Sequence, residues 1–222
     1  MSALEQVLFV DTRTINTLLA ANGTSGLDTL LLSGQRVMIS QNVLLEIANG
    51  PAALNSQFLT WYGQASGGNG QVFTPNYIVP NGPQAGDISI RDIAVLFKDD
   101  FSARFLSDDA GIYFNERNAT GGFSADQLAL RGQYARPYFG TGEFLAELLF
   151  DGKLAASDYN SVVGDIRNST TWNTIPSADG RDFKSLFYTA SEVDTLFNLG
   201  AGTSGFGKAL TGLVVVGGIA AV

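Results

Sequence analysis

Short apolar runs alternate with helical periodicity along this chain, and that alternation restricts the fold more than any other feature. Residues 6–10 (QVLFV) form an apolar run that stops at Asp11. A run this short and this continuous predicts a buried strand. Residues 12–21 then set Ile15, Leu18 and Leu19 at helical spacing and close at Asn22-Gly23. The pattern repeats in residues 35–40, a short strand through Val37, Met38 and Ile39, followed by a helix over 41–48. Asn49-Gly50-Pro51 ends that helix and a further one is predicted over 52–65. Val72-Phe73 and residues 77–79 read as extended. Residues 87–98 carry Ile90, Ile93, Ala94 and Phe97 on one helical face, and residues 104–107 form the next strand. Helices are also predicted over 141–150 and 157–166. Strands alternating with helices predict an α/β fold around a largely parallel sheet.

Composition narrows the chemistry. The chain has no cysteine and no histidine. Disulfides, thiolate catalysis, Cys/His zinc sites and any histidine base are therefore excluded. An enzyme of this composition must work with carboxylates, hydroxyls, Lys, Arg, Tyr or a hard cation on oxygen ligands. The net charge is −8 with only 13 Lys and Arg, so no broad basic surface is available to hold nucleic acid. A solvated acidic surface accounts for that charge equally well.

The termini differ in character. The start, MSALEQVLFVD, lacks a basic segment and its apolar run is too short for a secretory leader, which predicts a cytoplasmic protein. Residues 209–222 (ALTGLVVVGGIAAV) are apolar but fall short of the roughly 20 residues that a membrane-spanning helix needs. They fit a terminal strand or helix packed on the domain, or a segment that contacts a membrane.

Acids recur where strands end. Asp11 closes the first strand, and Asp108 and Asp109 follow the strand that ends in FLS. In parallel α/β sheets the carboxyl ends of the strands share one edge, so such residues converge on a crevice. Glu46 and Asp87, on helices, are candidates for the same edge. Clustered carboxylates repel one another unless a cation neutralises them. Mg²⁺ or Mn²⁺ is the expected ion, since both prefer oxygen ligands. Thr12 is placed to cap the first helix and Ser107 to sit in a turn, and either hydroxyl can also bond a carboxylate or a phosphate. Side chains alternate along an extended segment, so Asp108 and Asp109 are expected to point apart. Asp109 is assigned to the crevice and Asp108 to solvent or a cap, with the converse open.

The order of these motifs resembles the PIN-domain family of metal-dependent ribonucleases, which includes toxins of bacterial toxin–antitoxin pairs. Four segments carry the resemblance: VLFVDTRTINTLLA with Asp11 and Thr12, RVMISQNVLLEIA with Glu46, GDISIRDIA with Asp87, Ile90 and Ala94, and FLSDD with Ser107 and Asp109. A later stretch, GTGEFLAELLFDGKL, looks like a further segment found in some branches. The resemblance covers residues 6–168 and leaves 169–222 as a C-terminal extension with a Gly-rich apolar tail. It implies a three-layer α/β/α fold and a Mg²⁺- or Mn²⁺-dependent endoribonuclease. Asp11, Glu46, Asp87 and Asp109 would hold the metal, and Thr12, Ser107, Asp108 and Asp92 would support it. Asp92 stands as an alternative to Asp87, because the spacing from Asp87 to Asp109 is longer than the family pattern. Among the basic residues, Arg13, Arg91, Arg104, Arg131 and Arg136 are the candidates to lie near a phosphate. The implied partners are RNA, an antitoxin-like inhibitor and a second copy of the chain. An inactive PIN-like binding module, or the nuclease end of a secreted bacterial effector, are the alternatives.

Overall fold

β1 (Glu5–Val10) lies in the middle of the sheet because Val7, Leu8, Phe9 and Val10 are all shut off from solvent. A strand covered on both faces has no polar side to present, which is why its sequence runs apolar without alternation. It pairs in parallel with β2 (Arg36–Met38) on one side and β4 (Phe101–Leu106) on the other. β3 (Val72–Phe73) extends the sheet beyond β2, and β5 (Tyr138–Phe139) extends it beyond β4, all in parallel. The order is β3-β2-β1-β4-β5. Phe9 packs its ring against Phe101 and Phe105 at centroid distances of 5.6 and 5.3 Å, tying the central pair together.

The computed structural model describes residues 4–68, 70–82, 84–108, 138–168 and 187–193. They fall into two compact units, Met1–Thr141 and Gly142–Val222. The first holds the sheet with α1 (Thr12–Leu32), α2 (Gln41–Ala48), α3 (Ala52–Gly67) and α4 (Ala85–Leu96). This is a mixed α/β fold with an all-parallel sheet, compatible with a three-layer arrangement. α1 breaks where the sequence predicts an end: Asn22 has φ −145° and Gly23 has φ 55°, ψ −140°. The chain there visits a region that only glycine occupies cheaply. It then resumes helical structure and buries Leu27 and Leu30, a continuation hidden by its turn-rich composition (GTSG).

Other boundaries move for local reasons. β4 begins at Phe101, earlier than the expected start at 104, since Phe101, Ser102 and Ala103 are buried against β1. α4 begins at Ala85, which puts Asp87 inside its first turn. Residues 77–79 form no strand. Instead the Asn42 amide accepts from the Val79 N–H and donates to its carbonyl, both at 3.0 Å, and so imitates a strand neighbour.

In the second unit, α5 (Thr141–Phe150, its first residue counted with the first unit) buries Phe144, Leu145 and Leu148. α6 (Ala156–Asn168) buries Tyr159, Val162, Val163 and Ile166, one face of a helix. The Tyr159 hydroxyl donates to the Tyr188 carbonyl at 2.7 Å. Thr189 and Glu192 bond each other's backbone N–H groups, a reciprocal capping pair. No helix among the described residues is long and apolar enough to cross a membrane. The apolar run 209–222 lies outside the described residues.

Candidate active site at the reversal of strand order

The chain builds β1, β2 and β3 outward in one direction, then returns past β1 to lay down β4 and β5 on the other side. The connections leaving β1 and β4 therefore diverge, and a crevice opens at the carboxyl ends of these two strands. Val10 and Leu106 are register partners across the pair. The residues that follow them, Asp11 and Ser107, are consequently side by side.

Asp11 is the N-cap of α1, and its Oδ1 accepts the Thr14 N–H at 2.7 Å. Its Oδ2 accepts the Ser107 hydroxyl. The side chain is 3% exposed. Burial pushes its carboxyl from 3.8 up to about 7, the Ser107 and Thr14 hydrogen bonds pull it back, and the neighbouring charge of Asp108 adds to the rise. Asp108 is half-buried and its carboxyl is also raised by burial, against hydrogen bonds from Thr141 and Thr17 and the attraction of Arg13. It accepts both the N–H (2.8 Å) and the hydroxyl (2.5 Å) of Thr141, the first residue of α5. Asp108 thus adds its charge to the environment of Asp11 while bonding Thr141, the cap that the sequence left open to it beside solvent. Asp109 lies outside the described residues.

A second cluster begins one residue after Asp11. Thr12 is not the cap of α1, because the Asp11 carboxylate already fills that position. Its hydroxyl donates instead to Glu46 Oε2. Glu46 Oε1 accepts the Gly86 N–H at 2.8 Å. Gly86 leaves room for this contact: a Cβ there would lie 2.6 Å from the Glu46 carboxylate. The Gly86 carbonyl is held by Ser89 at 2.7 Å, and Ser89 in turn bonds Ser40, the N-cap of α2, at 2.6 Å. This buried chain locks the start of α4 to the start of α2. Asp87 follows Gly86 and is half-buried. Asp92, further along α4, accepts the Tyr77 hydroxyl at 2.9 Å and raises that phenol's pKa.

The sequence-predicted acids therefore divide. Asp11 and Asp108 form a charge-coupled pair, and Glu46 joins Asp11 through the adjacent Thr12. Asp87 is the neighbour of Glu46's backbone partner, whereas Asp92 is engaged with Tyr77. Among the described residues no three carboxylates gather closely enough to hold an ion. Of the basic candidates, Arg13 stands near enough to Asp108 to lower its carboxyl. Arg91 is largely buried with Nε on the Asp87 carbonyl at 3.2 Å. Arg104 is a half-buried residue of β4, and Arg131 and Arg136 lie outside the described residues.

Thr14, Thr17, Gly86 and Thr141 complete the site without having been singled out by sequence. The spacing Asp11-x-x-Thr14 is a capping pattern, and Gly86 stands directly before the acid of α4, so both left a faint signal. The donor set is hard oxygen throughout. Two raised carboxyls beside one another suit a divalent cation, which would relieve both their repulsion and their desolvation. No protein-family model, curated protein or solved structure matches this chain.

Proposed function

We propose that this chain is a PIN-like endoribonuclease that depends on Mg²⁺ or Mn²⁺ and cleaves RNA phosphodiesters. The observation that carries the reading is the pair of the buried Asp11 and the half-buried Asp108 at the reversal of strand order, with Glu46 tied to it through Thr12. Asp11 and Asp108 are the acids that would hold the ion, with Glu46 orienting the edge from behind Thr12. A bound ion supplies Lewis-acid stabilisation of the charge that develops on the phosphoryl group.

The protein's own groups do the rest. The Thr14 N–H and the Ser107 hydroxyl fix both oxygens of Asp11, so the carboxylate needs little reorganisation to present its remaining lone pairs. Glu46 orients the Thr12 hydroxyl. Arg13 brings a positive charge to a strongly acidic edge and attracts a backbone phosphate. Burial keeps bulk water from the Asp11 carboxyl and pushes its pKa up to about 7.

One observation favours a second reading. Both oxygens of Asp11 and both of Glu46 already have donors within the protein, so the network is satisfied without an ion, as in a binding module with no chemistry. Cleavage of a structured RNA with and without Mg²⁺ or Mn²⁺ separates the two. The nuclease reading expects metal-dependent cleavage that falls by roughly 100-fold or more in Asp11→Asn, the scale of losing a fixed electrostatic contact. Equal behaviour of wild type and variant, with no thermal shift on adding metal, leaves the binding module. Growth arrest on expression, relieved by Asp11→Asn, is the corresponding test of a toxin.

A further inference from the structure

Hydroxyls crowd the acid edge, and each spends its proton on an oxygen of the protein. Ser107 donates to Asp11, Thr12 to Glu46, Thr14 to the Leu106 carbonyl at 3.3 Å, and Thr141 to Asp108. Thr14, Ser107 and Thr141 are buried, whereas Thr12 is half-buried, so a molecule arriving from solvent meets the Thr12 oxygen. Consecutive Cα atoms stand about 3.8 Å apart, which puts Thr12 directly beside Asp11. A hydroxyl has one proton and two lone pairs. Glu46 settles where the Thr12 proton goes. A carboxylate offers acceptors only, its Oε1 takes the Gly86 N–H at 2.8 Å, and its Oε2 takes the Thr12 proton. What Thr12 presents outward is therefore an acceptor that takes no donor among the described residues.

We infer that Glu46 is a positioning residue that fixes Thr12 as a hydrogen-bond acceptor, and that this acceptor holds the attacking water beside Asp11. The inference rests on the nuclease reading. A phosphodiester has no proton to give, so the fixed acceptor turns a phosphate oxygen away and selects a donor. Water brings two protons, one for Thr12 and one for a remaining lone pair of Asp11, whereas a ribose 2′-hydroxyl brings only one. In the step itself the water oxygen bonds phosphorus and keeps one hydrogen. The bond from phosphorus to the leaving ribose oxygen breaks, and the second proton ends on that oxygen. Thr12 takes no proton; by accepting a hydrogen bond it fixes the direction of the water's lone pair.

The test compares wild type, Glu46→Gln, Thr12→Val and Thr12→Ser in Mg²⁺-dependent cleavage of a single-stranded RNA. Glu46→Gln keeps the shape and both contacts, because the amide oxygen can hold the Gly86 N–H while the NH₂ group turns to Thr12. That NH₂ group is a donor, so the Thr12 proton is released outward and the acceptor is lost. Glu46→Gln and Thr12→Val are each expected to lower kcat about tenfold at an unchanged KM, the scale of one hydrogen bond, and the double variant to be no slower than either. Thr12→Ser is expected to recover most of what Thr12→Val loses. Metal-free NMR adds a readout besides activity: the Thr12 hydroxyl proton, slowed in exchange by its carboxylate acceptor, gives a resonance in wild type that Glu46→Gln abolishes. A purely structural Glu46 predicts full kcat and unchanged melting in Glu46→Gln, and that result overturns the inference while the nuclease stands. A Thr12→Val loss that vanishes on RNA with a 2′-deoxy residue at the cleaved position assigns the donor to the 2′-hydroxyl and overturns the water. No cleavage by wild type removes the nuclease and the water together. A hydroxyl resonance insensitive to Glu46→Gln removes the fixed acceptor whether or not RNA is cut.

Discussion

Replacing Gly86 by alanine should destabilise the wild-type protein and stabilise a protein that lacks the Glu46 carboxylate. Gly86 is the second residue of α4 and has no positive φ, so alanine suits its backbone. In a helix that change is normally worth about 0.5–1 kcal/mol in favour of alanine. Here the added Cβ would stand 2.6 Å from Glu46 Oε2 and 2.7 Å from Oε1, well inside van der Waals contact. The Glu46 side chain must swing away, giving up its bonds from the Gly86 N–H and the Thr12 hydroxyl. Two such bonds to a half-buried carboxylate that water can partly rehydrate contribute about 1–3 kcal/mol together. The loss exceeds the helix gain, and Gly86→Ala should cost about 0.5–2 kcal/mol net. In a Glu46→Ala background the clash and the bonds are both gone, and the same substitution should stabilise by about 0.5–1 kcal/mol. Urea unfolding of the four proteins completes the cycle. If Gly86→Ala stabilises both backgrounds alike, Glu46 is not held against Gly86, and the coupling of Glu46 to the acid edge fails with it.

Two further outcomes follow from buried groups elsewhere in the first unit. The folded chain keeps a proton on Asp11 up to about pH 7, whereas an ordinary carboxyl releases it near 3.8, so stability should fall as pH rises between these values and level off above them. Metal-free Asp11→Asn should lose most of that slope and gain up to about 4 kcal/mol at pH 8, at 1.36 kcal/mol per pH unit of displacement; denaturation curves with the same slope in both proteins would contradict the burial of this charge. Asn42→Ala should destabilise by about 2–4 kcal/mol in urea unfolding, because it strands the N–H and carbonyl of Val79 in a buried setting. A change under about 0.5 kcal/mol would mean that water replaces the amide there.

What the sequence discloses about this fold depends on how far each contact reaches along the chain. Residues 41–48 are legible as a helix because the capping serine, the apolar stripe and the closing Asn-Gly all lie within one local window. β1 and β2 are legible for the same reason. β5 is not, since two residues gain strand character only by pairing with Phe105 and Leu106, more than thirty positions away. The site follows this rule more sharply. That Asp11 ends a strand is local information. That its carboxylate meets Ser107 follows from the register Val10↔Leu106, which no window around either residue contains. Asp108 shows how far local reasoning reaches. Strand alternation assigned it to solvent or a cap, with the converse open, and the strand has ended by Leu106, so alternation no longer governs its direction. Its position is set by Thr141, whose N–H and hydroxyl both reach it. A carboxylate beyond a strand end takes its orientation from the donors that tertiary structure brings to it. Sequence can therefore nominate the acids of a crevice, but the direction of an acid just past a strand end is decided by groups far away in the chain.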